Sequence, residues 1–275
     1  LLGDGETGAA IVSGGVDKVS FTGSVATGRK VAQACAGQLI PCTLELGGND
    51  AMIVCADADL DRAADGAWIG GCMNTGHYCC GTERIYVVKD VYDEFLRLIL
   101  DKGKALRQGQ KHGWDEDVGA VFWDRQMTII EAHVEDARAK GATILMGGRR
   151  NPDLPGLYYE PTVVTDVSND MDIMVLETFG PVLCIQKVAN EQEAVALATS
   201  AARSWMRVRS CSSARPSTRS ASSRVVAVSP PQLRWNLARR ASSFLPAFFF
   251  LHFFVRLEKV GHPRVECCII CRNVS

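Results

Sequence analysis

The stretch VSFTGSVATGRKVAQACAGQ, residues 19–38, decides the fold class. Val19 to Phe21 read as a short strand, and Thr22-Gly23-Ser24 as a turn. Val25, Ala26, Arg29, Val31, Ala32 and Ala34 then recur near the 3.6-residue period of a helix. Strand, turn and helix in that order are one layer of a parallel sheet with helical cover, so the chain is read as α/β. Outward from there the pattern continues. Residues 42–46 and 51–55 are short apolar segments separated by Gly47-Gly48-Asn49, and Asp57 to Asp61 open a helix running toward Gly71, their charge matched to the helix dipole. Asn74-Thr75-Gly76 break that helix. Ile85 to Val88, Ala142 to Met146, Thr162 to Thr165 and Val182 to Val188 read as strands; residues 91–107, 125–140 and a segment starting at Glu191 read as helices. On the N-terminal side, Gly3, Gly5 and Gly8 suggest a tight turn into a helix whose first amides face a phosphate.

The chain has 275 residues, 30 Lys and Arg against 31 Asp and Glu, and a formal charge of −1. That average hides a division. Residues 1–199 hold 17 basic and 29 acidic residues, whereas 200–275 hold 13 basic and 2 acidic. The same later segment carries 13 serines, and 6 of the chain's 10 phenylalanines crowd between Phe244 and Phe254. Hydrophobic periodicity is present before Thr199 and lost after it, so no packed domain is expected over 200–275. The apolar run Phe244 to Val255 is too short for a membrane span, which needs about 20 residues. The Arg/Ser-rich tract has no recognisable nucleic-acid module. The 11 cysteines, odd in number and partly set in apolar runs, point to free thiols in a reducing, cytoplasmic setting rather than a disulfide framework.

Three places carry candidate chemistry. Cys79-Cys80 lie after a glycine break and before a strand; a thiolate there is either a covalent nucleophile or one of a pair of inert buried thiols. A zinc site using Cys72, His77, Cys79 and Cys80 is disfavoured, because adjacent cysteines do not share a tetrahedral ion as C-x2-C ligands do. Glu45, between Leu44 and Leu46, is a general base if desolvated or a solvated residue of an edge strand. Glu177, before Thr178-Phe179-Gly180-Pro181, is a loop carboxylate that either holds a sugar hydroxyl or is an ordinary turn residue.

Taken together these segments resemble the aldehyde dehydrogenase superfamily over residues 1–199. Phe21-Thr22-Gly23-Ser24 is similar to its cofactor-phosphate turn, Leu44-Glu45-Leu46-Gly47-Gly48 to its general-base signature, and Asn74-x-Gly76-x-x-Cys79 to its nucleophile signature. Glu177-Thr178-Phe179-Gly180-Pro181 is similar to the motif that holds the nicotinamide ribose and packs an aromatic near the ring. The resemblance implies residues 1–40 as the end of a Rossmann-like cofactor domain and 41–199 as most of an α/β catalytic domain. It implies NAD or NADP as cofactor, with Gly3, Gly8, Gly23, Ser24, Leu46, Glu177 and Phe179 at it. Cys79 is implied as nucleophile, Glu45 as general base, and Asn74 and Gly76 as oxyanion or supporting residues. A small-molecule aldehyde is oxidised to the acid, no metal is required, and complete members form homo-oligomers. His77 stands where most members carry Gln, and Asn49 where many carry Lys. The first half of the cofactor domain is expected upstream of Leu1, and a change of reading frame or translated intron near Thr199 is the expected origin of 200–275. The 275-residue chain is therefore expected to have little or no dehydrogenase activity. The competing reading is a non-enzymatic interaction protein acting through the basic tail.

Overall fold

A computed structural model describes residues 1–109, 115–205 and 268–271, with side chains described up to residue 200. The first helix, α1 (Gly5–Ser13), precedes β1 (Val19–Gly23), α2 (Val25–Gly37) and β2 (Cys42–Leu46). β1 and β2 pair in parallel as a two-stranded sheet, with Thr22 opposite Glu45 and Gly23 opposite Leu46. Ser24 ends the strand and starts the helix: its backbone is extended and its Oγ accepts the Thr27 N–H at 3.3 Å, as an N-cap serine does.

A second sheet begins after Gly47-Gly48-Asn49. Its elements are β3 (Asp50–Val54), α3 (Leu60–Cys72), a 3-10 turn (Met73–Gly76), β4 (Thr82–Val88), α4 (Lys89–Lys104), α5 (Asp124–Ala139), β5 (Thr143–Met146), β6 (Thr162–Thr165), α6 (Asp172–Val175), β7 (Val182–Val188), α7 (Glu191–Trp205) and β8 (Cys268–Cys271). The strand order is β5-β6-β7-β4-β3-β8, and every neighbouring pair is parallel except β5 with β6. The passage between the two sheets runs through 47–49, with β2 (Cys42–Leu46) paired to β1.

Period-two alternation sends the strands' side chains to opposite faces. Met52, Val54, Ile85, Val87, Leu183 and Ile185 pack under α3 and α4 with Trp68, Phe95 and Ile99. Ala51, Ile53, Tyr86, Val88, Val182 and Cys184 pack on the other face with Met127, Ile130 and Val134 of α5 and Ala194 of α7. A sheet covered on both faces needs nearly continuous apolar strands, and all seven residues of β4 are buried. Trp68 donates its indole N–H to the Ile99 carbonyl at 2.9 Å, tying α3 to α4. Asp59 caps α3 by accepting the Arg62 N–H.

The structure departs from the sequence reading in two places beyond Thr199. Helix α7 continues to Trp205, and Cys268–Cys271 form a strand against the β3 edge, with Ile269 opposite Met52 and Ile270 opposite Ile53. Two consecutive β-branched residues suit a strand beside an apolar edge. The remainder of that expected tail, including Phe244 to Val255, lies outside the described residues. Among the described residues no helix is long and apolar enough to cross a membrane.

Candidate active site

The carboxyl end of β2 runs through Gly47–Asn49 into β3, beside the segments of Cys79 and Glu177 that precede β4 and β7. Gly47 and Gly48 make the passage from one sheet to the other, and they do so because they lack side chains. A Cβ on Gly47 would collide with the Glu177 carboxylate, and one on Gly48 would stand 2.6 Å from the Cys79 carbonyl oxygen. The Gly48 N–H donates to Glu177 Oε1 at 3.2 Å. One two-residue turn thus brings three separated segments together: Glu45-Leu46, Cys79 and Glu177. Glu45 also lies within electrostatic reach of Cys80, whose thiol it and Asp50 help to raise.

Cys79 is exposed and Cys80 half-buried, their Sγ atoms 3.8 Å apart. The pair is therefore not sealed in the core. Burial, then the hydrogen bond and charge of Cys79, push the Cys80 thiol up to about 11. Cys72 is different: it sits in the apolar cluster under α3, and burial raises its thiol strongly. That position separates it from the four-ligand set considered for zinc. Among the described residues the one grouping with metal-ligand spacing is Cys55, Asp57 and Glu191, within 4.8 Å of one another.

The turn before Cys79 is strained. Asn74, Thr75 and Gly76 have φ of 51°, 60° and 77°, and non-glycine residues in that region cost about 1–3 kcal/mol each. The Asn74 amide Nδ2 donates to the His77 carbonyl at 3.0 Å, which makes Asn74 a brace of the turn. Gly76 is packed so closely on Gly180 that any Cβ would overlap its backbone, so the nucleophile turn and the Glu177–Pro181 loop are in direct backbone contact. The His77 ring lies against Phe122 at 4.8 Å and Phe179 at 5.5 Å, and burial lowers its pKa, with the Asn74 backbone hydrogen bond opposing.

Glu45 is exposed on β2, the solvated of the two alternatives read from its sequence, because Leu44 and Leu46 turn to the opposite face of the two-stranded sheet. Glu177 is the desolvated carboxylate: burial raises it to about 7 against the lowering effect of the Gly48 N–H. Ser24 caps α2, whose first amides have no partner within the helix. Gly3 and Gly8 do not form the expected anion turn. The helix starts at Gly5, Gly8 donates its N–H to the Asp4 carbonyl, and the Glu6 and Thr7 N–H groups go to the Asp4 carboxylate. An aspartate N-cap was the competing signal.

The loop carrying Glu177 is held by residues that the sequence reading left unassigned. Asn49 Nδ2 donates to the Leu176 carbonyl at 2.8 Å; Glu83 accepts the Thr178 and Phe179 N–H groups at 2.9 and 2.8 Å; Gln126 donates to the Thr178 carbonyl at 2.8 Å; His133 Nδ1 lies 3.2 Å from the Thr178 hydroxyl. Arg84, buried, donates through Nε and Nη2 to the Asn49 carbonyl at 2.9 and 2.6 Å. The legible signal was Glu83-Arg84, two charges inside the otherwise apolar run Thr82 to Val88.

Burial drives Glu83 up to about 8 despite its two N–H donors, with Glu177 and Asp50 adding to the rise. The folded chain thus keeps a proton that the unfolded chain releases near pH 4.5. Stability should fall as pH rises from 7 to 8, by at most about 1.4 kcal/mol per unit from this group. The lowered histidines, His77 and His133, act below that window. Urea midpoints at pH 7, 7.5 and 8 should decline in the wild-type chain and decline less steeply in Glu83→Gln, where Glu177, raised to about 7, supplies the remaining slope; an equal slope in both would contradict the assignment.

The arrangement is an α/β protein with an exposed thiol and two carboxylates near the Gly47–Gly48 passage between its two sheets. The chain belongs to the aldehyde dehydrogenase family, NAD(P)-dependent enzymes, whose profile matches residues 1–202. A Mycobacterium ulcerans (strain Agy99) protein provisionally named NADP(+)-type succinate-semialdehyde dehydrogenase 2 is 40% identical over 193 residues, covering 70% of this chain and 37% of that protein. The 4,4'-diapolycopene aldehyde oxidase of a Methylomonas species is 42% identical over 199 residues, 72% of this chain and 36% of that one. The structure of betaine aldehyde dehydrogenase from Staphylococcus aureus, solved with NAD+, superposes with a TM-score of 0.68 at 36% identity, over 72% of this chain and 40% of that one. The chain spans less than two fifths of the length of the curated relatives named here.

Proposed function

We propose that Cys79 and Glu45 carry out the oxidation of an aldehyde to a carboxylic acid beside a nicotinamide dinucleotide. The observation that carries this reading is the Gly47–Gly48 turn, with the Glu177 carboxylate seated on one glycine and the Cys79 carbonyl on the next. The residues present fit a dinucleotide: the N-terminus of α2 at Ser24–Val25 for phosphate, a half-buried carboxylate for a ribose hydroxyl at Glu177, and Phe179 two residues on. When bound, that group supplies the hydride acceptor. NAD and NADP both remain compatible with these residues.

In this reading the Cys79 thiolate adds to the aldehyde carbon, and its own backbone amide, with the turn braced by Asn74 and opened by Gly76, stabilises the developing oxyanion. A thioester on Cys79 is the species to be hydrolysed. Glu45, exposed and ionisable near Cys80, takes the proton of the attacking water, and the Cys79 thiolate is expelled with the acid. Leu46 and Gly23, paired across β1 and β2, wall the cofactor side. The expected outcome with the 275-residue chain, an aldehyde and NAD+ or NADP+ is formation of reduced dinucleotide that depends on Cys79 and runs below the roughly 1 per second of ordinary enzymes. Absorbance at the reduced-nicotinamide band measures it. Formation that persists in Cys79→Ala counts against the proposal.

A further inference from the structure

We infer that Glu83 is a positioning residue for the Leu176–Phe179 loop: its carboxylate, by accepting the Thr178 and Phe179 N–H groups, sets the Glu177 carboxylate against the Gly47–Gly48 turn. The inference rests on the proposed role of Glu177 and Phe179 at the dinucleotide and names the residue that places them.

The geometry is specific. Glu83 Oε2 takes the Thr178 N–H at 2.9 Å and Oε1 the Phe179 N–H at 2.8 Å, so both oxygens are engaged by successive amides of one loop. Phe179 has φ of 50°, a backbone region that a bulky residue occupies only when its surroundings impose it. The amide of Phe179 itself and the one before it are those Glu83 holds. The residue immediately before them is Glu177, whose carboxylate accepts the Gly48 N–H. Among the described residues no hydrogen bond joins Glu83 to Gly48 or to the Glu177 carboxylate, which it meets through charge, so the hydrogen-bonded link between them runs through the loop backbone.

Glu83 is 6% exposed, and among the described residues it has no ion pair. The guanidinium next to it in sequence, Arg84, is turned to the Asn49 and Ala198 carbonyls. A buried carboxylate without a counter-ion is costly, and a simple loop cap does not require one. What it provides here is two oxygens on a fork of fixed geometry, one facing each of two successive amides. Glu83 also follows Cys79 by four residues on the same short segment, so the thiol and the loop across from it are located by one piece of chain. Gln126 and His133 hold the remaining groups of Thr178 from α5, leaving the two N–H positions to Glu83.

The test uses the 275-residue chain, site-resolved amide exchange, and titration with NAD+ and NADP+. In the wild type, the Thr178 and Phe179 amides should exchange slowly. In Glu83→Gln, both should exchange about tenfold faster, as should the Gly48 amide, while Ile85 to Val88 stay unchanged. The affinity for whichever dinucleotide binds should drop about tenfold, as in Glu177→Gln, with the double variant no weaker than either single one. A merely structural cap would leave Gly48 and the non-additivity unmoved. Unchanged Gly48 exchange in Glu83→Gln overturns the inference. A Gly48 response in a chain that binds neither dinucleotide supports the positioning and sinks the dinucleotide reading. Should Glu83→Gln fail to fold, the wild type decides: fast exchange at Thr178 and Phe179 overturns the inference, and slow exchange supports it.

Discussion

Cys79→Ala should abolish the burst of p-nitrophenolate released when the chain is mixed with p-nitrophenyl acetate. This ester tests the thiol without any dinucleotide. The thiolate attacks the acetyl carbon, nitrophenolate leaves, and a thioester remains on sulfur. The wild type should release about one equivalent rapidly; removing a covalent nucleophile costs at least about a thousandfold in rate. Cys80 is the internal control. It lies 3.8 Å from the Cys79 sulfur, but its thiol is pushed up to about 11, mainly by burial, so little thiolate forms there at neutral pH. Cys80→Ala should keep the burst. A burst that follows Cys80 rather than Cys79, read by stopped-flow absorbance and by peptide mapping of the acetylated thiol, would reverse the assignment.

The second large effect concerns Glu45. Glu45→Gln keeps size and hydrogen-bonding capacity but cannot take a proton from water. General-base assistance is worth about 10²- to 10⁴-fold, so the acetylated Cys79 should form at the wild-type rate and then persist. Intact-mass measurement over time should show the adduct decaying in the wild type and accumulating in Glu45→Gln. The position of Glu45 favours this test: it is exposed on β2, opposite Thr22 and two residues before the glycine turn that meets the Cys79 carbonyl. Equal decay in both proteins would transfer the base role elsewhere, and Glu177, held near neutrality by burial, would be the next carboxylate to vary.

Much of this architecture could be read from local pattern. The strands read at Val19–Phe21, 42–46, Ile85–Val88, 162–165 and 182–188 announce themselves by apolar, β-branched runs, and the helix after Asp57–Asp61 by its acidic cap. The positions of Cys79, Glu45 and Glu177 were legible as reactive residue types beside glycines. What was not legible is long-range. That β2 pairs with β1, and not with the larger sheet, is decided by register across the Gly47–Asn49 passage. That Glu45 faces water while Glu177 is desolvated depends on which side of a strand or loop another segment covers. The Gly3–Gly8 turn was misread because an aspartate cap and three glycines give opposing signals, and Asp4 prevailed. Glu83 is the clearest case: a carboxylate in an apolar strand is conspicuous in the sequence, but its partners lie 95 and 96 residues away.

The central claim is that Cys79 is the reactive thiol of a site assembled around the Gly47–Gly48 turn. Site-resolved alkylation of the native chain by iodoacetamide, followed by mass mapping of each cysteine, tests it most directly. Cys79 is exposed, whereas Cys35, Cys55, Cys72 and Cys184 are buried, and burial raises the thiols of Cys72 and Cys184 strongly. Among these five the account predicts that Cys79 is modified first, with the buried four reacting only on unfolding. Modification of Cys72 or Cys184 ahead of Cys79 in the folded chain would contradict it.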